Sequence, residues 1–139
     1  MKRILCSLLI GLSSCCVLAQ NDSTWFKGTI NNKEYEVYLC INFYDTNIKV
    51  PGQEIFGTIA GYFGDKKDSR KWLITDAEID GRTAHLSIIN DYGSEDLTAD
   101  LTVNKDGTYE LKQLDGSTLK IARNRKWVKI PKKLVFIRN

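Results

Sequence analysis

The clearest regularity in the chain is an alternation of apolar and polar positions. Tyr35, Val37, Leu39, Ile41 and Phe43 form one apolar row, while Glu36 and Asn42 point the other way. A period of two sustained over this stretch predicts a strand with one face in a core. Before it, residues 25–30 read as a first strand, turned at Asn31-Asn32. A longer connection through Asp45, Pro51 and Gly52 follows, with a short strand at 48–50. Residues 55–64 are β-like but contain Gly57, Gly61 and Gly64. Glycines within a strand mark bulges or strong bending, as in a sheet curling into a barrel.

Further along, register selects between turns, because a one-residue slip moves apolar side chains to the wrong face. With Asp80-Gly81 as a two-residue turn, Leu73 faces Ile88, Thr75 faces Leu86 and Ala77 faces Ala84. The same register sets His85 opposite Asp76, and Glu78 opposite Thr83, on the other face. A three-residue loop Lys105-Asp106-Gly107 sets Val103 against Tyr109 and Leu101 against Leu111, with Gly107 where a left-handed residue is wanted. A similar loop, Asp115-Gly116-Ser117, sets Leu111 against Ile121 and Gln113 against Leu119. Strands at 127–130 and 134–137 complete the series, with Pro131 as an edge or a break. No segment holds a helical period. Eight to ten short strands joined by tight turns predict an all-β fold, a small antiparallel up-and-down barrel or strongly curled sheet.

With 139 residues the chain has room for one ordinary domain. Its beginning stands apart from the strand pattern. Lys2 and Arg3 precede an apolar run at 4–12 that is too short to remain across a bilayer, so residues 1–19 read as a signal peptide and 20–139 as the domain. Two processing sites compete. Val17-Leu18-Ala19 would start the mature chain at Gln20, whereas Leu12-Ser13-Ser14-Cys15 resembles a bacterial lipobox that would lipidate Cys15. Either way the chain is exported: periplasmic or secreted in the first case, membrane-anchored only through the lipid in the second. A mature chain from Gln20 keeps Cys40 alone, which rules out an internal disulfide and suits a small buried hydrophobe. One histidine and one cysteine do not make a zinc site, and no cofactor motif is legible.

Charge is unevenly distributed. Residues 20–115 hold ten Lys/Arg against seventeen Asp/Glu, a balance of −7, and residues 116–139 hold eight Lys/Arg and no acid, a balance of +8. Arg123, Arg125, Lys126, Lys129, Lys132 and Lys133 flank Trp127, an arrangement that suits an acidic protein, a glycan or a phosphate-bearing envelope component. The alternative is that these cations pair with acids on neighbouring strands. Nucleic acid is disfavoured by export and by a near-neutral mature chain. A second candidate contact is the tip Asn90-Asp91-Tyr92-Gly93-Ser94-Glu95-Asp96, where Tyr92 sits amid polar turn residues. It is either an exposed anchor or a tyrosine lying back over the barrel end.

Catalytic material is sparse. His85 facing Asp76 could form half of a nucleophilic constellation, with Ser87 two residues along, but no nucleophile elbow accompanies them. Cross-strand charge pairing is the ordinary role of such a pair. Asp76/Glu78 and Glu95/Asp96 are paired acids of the type glycosidases use, at separations a sequence does not define.

The leader ending Leu18-Ala19-Gln20, the opening Phe26-Lys27-Gly28-Thr29-Ile30, the glycine-bearing stretch 57–64 and the run 116–127 followed by Lys129-Ile130-Pro131 carry a resemblance. The chain resembles small secreted or lipidated, lipocalin-like β-barrel proteins of gut Bacteroidetes. It departs from lipocalins in its first strand, with Trp25-Phe26-Lys27-Gly28 where Gly-X-Trp is expected. In size and β content it is also similar to small periplasmic lysozyme inhibitors and immunity proteins, without their disulfide.

These features together lead to the expectation of an exported, non-enzymatic envelope protein that binds a protein partner, as an inhibitor or immunity factor does. Its candidate binding residues are Asp91, Tyr92, Arg123, Arg125, Lys126, Trp127 and Lys129. The alternatives are a carrier of a small apolar ligand in a cavity lined by the Val37/Leu39 and Leu73/Leu86 rows, a hydrolase using His85 and Asp76, and a surface-assembly subunit joined through a strand edge.

Overall fold

A computed structural model describes residues 24–52, 55 and 57–138. The leader, its two processing sites and Cys15 lie outside the described residues, as does Phe56. Twelve strands follow in chain order: β1 (Lys27–Asn32), β2 (Val37–Asn42), β3 (Ile48–Lys49), β4 (Thr58–Ile59), β5 (Gly61–Asp65), β6 (Trp72–Asp80), β7 (Thr83–Asn90), β8 (Asp96–Val103), β9 (Tyr109–Gly116), β10 (Lys120–Arg123), β11 (Lys126–Lys129) and β12 (Lys133–Arg138). Eight of them close an antiparallel barrel in the order β1-β12-β9-β8-β7-β6-β5-β2. Apart from the closing β1–β12 pair, every neighbour in that order is the next barrel strand along the chain, so the predicted up-and-down barrel is the fold. The strand count exceeds eight to ten because two short ribbons, β3–β4 and β10–β11, are inserted between barrel strands.

The alternating rows fill the interior. Phe26, Ile30, Leu39, Ile41, Phe63, Ile74, Ile88, Leu101, Leu111, Leu119 and Phe136 are all completely buried. In β2 the predicted row of Val37, Leu39 and Ile41 faces inward. The β8–β9 hairpin has the expected register, Val103 with Tyr109 and Leu101 with Leu111, and Gly107 has φ +89°.

Two other registers are corrected. In the β6–β7 hairpin Asp80 pairs with Thr83, so the turn is Gly81-Arg82 rather than Asp80-Gly81. Gly81 occupies the first central position with φ +62°, and positive φ at that position alone is the II′ geometry that glycine favours. A bulge at Thr75 then shifts the ladder by one residue, so that Trp72 and Ile74 face the core while Leu73 points outward. His85 therefore lies opposite Glu78, and Asp76 opposite Ser87.

The expected pairing of Leu111 with Ile121 and of Gln113 with Leu119 is also absent. Instead β9 pairs with β12, Leu111 with Leu134. Gly116 does not turn the chain but continues β9 opposite Leu97, at φ +101°. A Cβ there would collide with the Asp96 carbonyl oxygen and lie 2.8 Å from the Leu97 Cα, so only glycine permits that close pairing.

Outside the barrel, the β3–β4 ribbon lies over the outer face of β2, β5 and β6. Val50, Tyr62 and Leu73 are buried there, with Tyr38, Cys40, Ile48, Ile59 and Ile89 packed against them. Cys40 is thus a half-buried member of an external cluster. Among the described residues, closure at β1–β12 uses a ladder of two residue pairs, Ile30 with Arg138 and Asn31 with Ile137. Side chains extend it: Asn32 Nδ2 donates to the Val135 carbonyl at 2.8 Å. The Arg138 guanidinium donates to the carbonyls of Lys27, Thr24 and Trp25 and to the Tyr109 hydroxyl at 2.7–3.0 Å.

Candidate functional site

Up-and-down topology sends alternate connections to the same end of a barrel. The β1–β2, β5–β6 and β7–β8 loops and the long β9–β12 connection therefore gather at one end. The β10–β11 ribbon, which belongs to that last connection, is fastened over it. Leu119, Ile121 and Ile130 from this connection enter the core. The buried Gln113 amide donates to the carbonyls of Ile130 (3.2 Å) and Pro131 (3.0 Å) and accepts from the Leu119 N–H (2.7 Å). Gln113 thus meets Leu119 through its side chain, not through a ladder.

A second fastening is ionic. Arg123 donates to both oxygens of Asp65, at 2.6 and 2.8 Å, and to the carbonyl of Tyr35 at 2.8 Å. The Asp65 side chain is only 3% exposed. Its carboxylate holds the Arg123 guanidinium protonated even more firmly than usual. A bidentate pair of this kind specifies orientation as well as contact. Arg123, expected to contact a ligand, is instead a positioning residue for the ribbon.

Between this ribbon and the neighbouring loops lies a cavity of about 250 Å³. Trp127 and Lys120 border it from the ribbon, Arg70 and Asp68 from the β5–β6 loop, and Asp91 and Tyr92 from the β7–β8 loop. Trp127 is 57% exposed and Tyr92 79% exposed. The Arg70 guanidinium lies 5.2 Å from the Trp127 ring centre and the Lys120 ammonium 5.5 Å, both within cation–π range. Lys120 also pairs with Glu95 at 3.0 Å, and its carbonyl accepts from Trp72 Nε1 at 3.3 Å.

The Tyr92 loop is built on Asn90. Its side-chain oxygen accepts from the Ser94 and Glu95 N–H groups at 2.9 and 3.3 Å, and its amide donates to Ser94 Oγ at 3.0 Å. Asp91 accepts from the Lys71 N–H at 3.2 Å, which ties this loop to the start of β6. Of the two readings of Tyr92, its exposure supports the anchor.

The fold thus brings Asp91 and Tyr92 to the same cavity as Trp127, some 35 residues further along the chain, while Arg123 lies outside the cavity lining and pairs with Asp65. Arg125 lies at the ribbon's turn, where Asn124 and Arg125 both have positive φ, at +52° and +65°. Lys126 and Lys129 are exposed on β11, outside the cavity lining. Asp65, Arg70, Trp72 and Lys120 were missed as site residues, since no local pattern marks them, and Glu95, noted as one of a pair of acids, instead pairs with Lys120. Among the described residues no three His, Cys, Asp or Glu side chains gather to hold a metal ion.

His85 belongs elsewhere, on the outer face of β7. Its Nδ1 lies 2.7 Å from Asp100 Oδ1 on β8, and Nε2 lies 4.0 Å from Asp80. The hydrogen bond and charge of Asp100 raise its pKa from the ordinary 6.5, against weak desolvation and with help from Asp80 and Glu78. That favours imidazolium, the form that cannot accept a proton. A raised folded value means that the stabilisation is complete below pH about 6.5 and fades as pH rises through the folded pKa. We expect an NMR titration of the His85 ring to give a midpoint above 6.5, moved down by Asp100→Asn. A midpoint at or below 6.5 would contradict the pairing.

Comparison of the chain with known protein families, with characterised proteins and with solved structures finds no match. The site is therefore argued from its geometry.

Proposed function

We propose that this chain is an exported, non-enzymatic binding protein of the cell envelope that captures a protein partner, as an inhibitor or immunity-type factor does. The leader pattern supports export. The observation that carries the binding reading is the pair of exposed aromatic side chains, Tyr92 and Trp127, set on separately braced loops around one cavity. Aromatic anchors beside a pocket are the usual centre of a protein interface. Bracing by Asn90 and by Asp65–Arg123 lowers the entropy lost when they are immobilised. The carrier alternative is less well supported. Large side chains occupy the barrel interior, and Leu73, expected to line a cavity, lies on its outer face.

The test is affinity capture from the envelope extract of the native cells. Wild-type protein is expected to retain one stoichiometric protein, and the Tyr92→Ala/Trp127→Ala variant about tenfold less or lower. Both side chains are exposed, so the variant keeps its fold. Equal retention by the two forms, or a bound mass of only a few hundred daltons, would overturn the reading.

A further inference from the structure

The β10–β11 ribbon and the start of β12 place cations opposite cations. Lys129 pairs with Lys120, Lys126 with Arg123, and Lys133 with Lys112 in the antiparallel registers. Like charges directly opposite destabilise a sheet. Lys120 and Arg123 are neutralised by Glu95 and Asp65. By contrast, among the described residues Lys112, Arg125, Lys126, Lys129, Lys132 and Lys133 have no carboxylate within 4.0 Å. All six are exposed. The expectation that the basic segment pairs with the acidic strands holds only for the two cations nearest the cavity. The remaining cations stay unneutralised: Arg125, Lys126 and Lys129 lie on the ribbon that carries Trp127, and Lys112, Lys132 and Lys133 lie at β9 and the start of β12.

We propose that this basic ribbon receives an acidic protein surface, with Trp127 and Tyr92 as the aromatic centre and the ribbon's cations as the charged rim. The inference deepens the protein-binding reading above and rests on it. Its arrangement favours many separate carboxylates over one phosphate. Lys126 and Lys129 are about 10 Å apart along β11 and point to opposite faces of the ribbon, so they do not converge on one anion. Five of the six cations are lysines, which act as point charges and lack the bidentate fork that suits phosphate. An aromatic centre with a charged rim is the anatomy of a protein interface, and rim charges steer encounter and make it salt-dependent.

The test changes one cation of each facing pair, in Lys126→Glu/Lys129→Glu/Lys133→Glu. Because the changes replace repulsion by attraction across the ladders, the variant is expected to melt no lower than wild type. Poly-L-glutamate, titrated into the protein and followed by tryptophan fluorescence, serves as the acidic probe. Wild type is expected to bind it, with affinity falling about tenfold or more between roughly 0.05 M and 0.5 M salt, and the triple variant to bind it at least about tenfold more weakly than wild type at the lower salt. The partner captured from the envelope is expected to be lost by the triple variant too.

Tighter binding of heparin, or of vesicles of phosphatidylglycerol and phosphatidylcholine, than of poly-L-glutamate would overturn the proposal in favour of a glycan or a membrane. Salt-sensitive self-association of the wild type would overturn it in favour of a second copy of this chain. Retention of a captured partner by the triple variant would sink this inference but leave the protein-binding reading intact. Absence of any captured partner would sink that reading itself.

Discussion

Arg123→Ala is expected to destabilise the protein by about 3–5 kcal/mol, because it leaves the Asp65 carboxylate buried without its partner. The geometry supports a value in this range. Asp65 is almost wholly buried, and Arg123 contributes two hydrogen bonds to it and one more to the Tyr35 carbonyl. Removing one member of a buried pair costs more than removing both. The double change Asp65→Leu/Arg123→Met should therefore recover most of the loss, while Arg123→Lys, which lacks the fork, should recover little. Urea denaturation of the four proteins measures this directly. Equal stability of Arg123→Ala and wild type would mean that the pair does not hold the ribbon. The same variant should also weaken partner capture, since the ribbon that presents Trp127 is no longer oriented.

The second large effect concerns closure. Phe136 is completely buried on β12, which among the described residues pairs with β9 at four positions and with β1 at two. Core packing and the Arg138 and Asn32 side chains add to that short ladder in holding the last strand. Phe136→Ala is expected to cost about 3–5 kcal/mol, a fall of roughly 15 °C in Tm for a domain of this size. Val135→Ala, one residue away but exposed, should change stability by no more than about 0.5 kcal/mol. Thermal unfolding of both distinguishes a closed barrel from an open sheet whose last strand is peripheral. Similar melting of Phe136→Ala and Val135→Ala would contradict closure.

The barrel itself was legible in the chain because its signals are local. The alternation in β2, the Lys105-Asp106-Gly107 loop and the sequence of tight turns each depend on a few adjacent residues. The errors arose where a local choice was balanced by something distant. Either Asp80-Gly81 or Gly81-Arg82 can form a two-residue turn, and only the bulge at Thr75, set by packing on β5 and β7, returns Trp72 and Ile74 to the core. At Gly116 the glycine suggested a turn, but its use is a close approach to β8.

The candidate site divides in the same way. Tyr92 stood out as an aromatic in a polar tip and Trp127 as an aromatic in a basic run. That they share a cavity follows only from the strand order. For Arg123 both a ligand contact and a pairing with a neighbouring acid were open, because its partner, Asp65, is 58 residues away and no local pattern names it. Lys120 and Arg70 carry no local signature, and Glu95 stood out only as one of two adjacent acids; their roles emerge from the loops that the barrel gathers at one end.

If the end of the barrel bearing Trp127 is the contact surface, a photo-reactive phenylalanine analogue at position 127, irradiated in intact cells, will give one discrete protein adduct. The same group in place of Ile79, exposed beside the β6–β7 turn at the opposite end of the barrel, will give none. An adduct forming equally at both positions, or at 79 alone, would place the contact elsewhere.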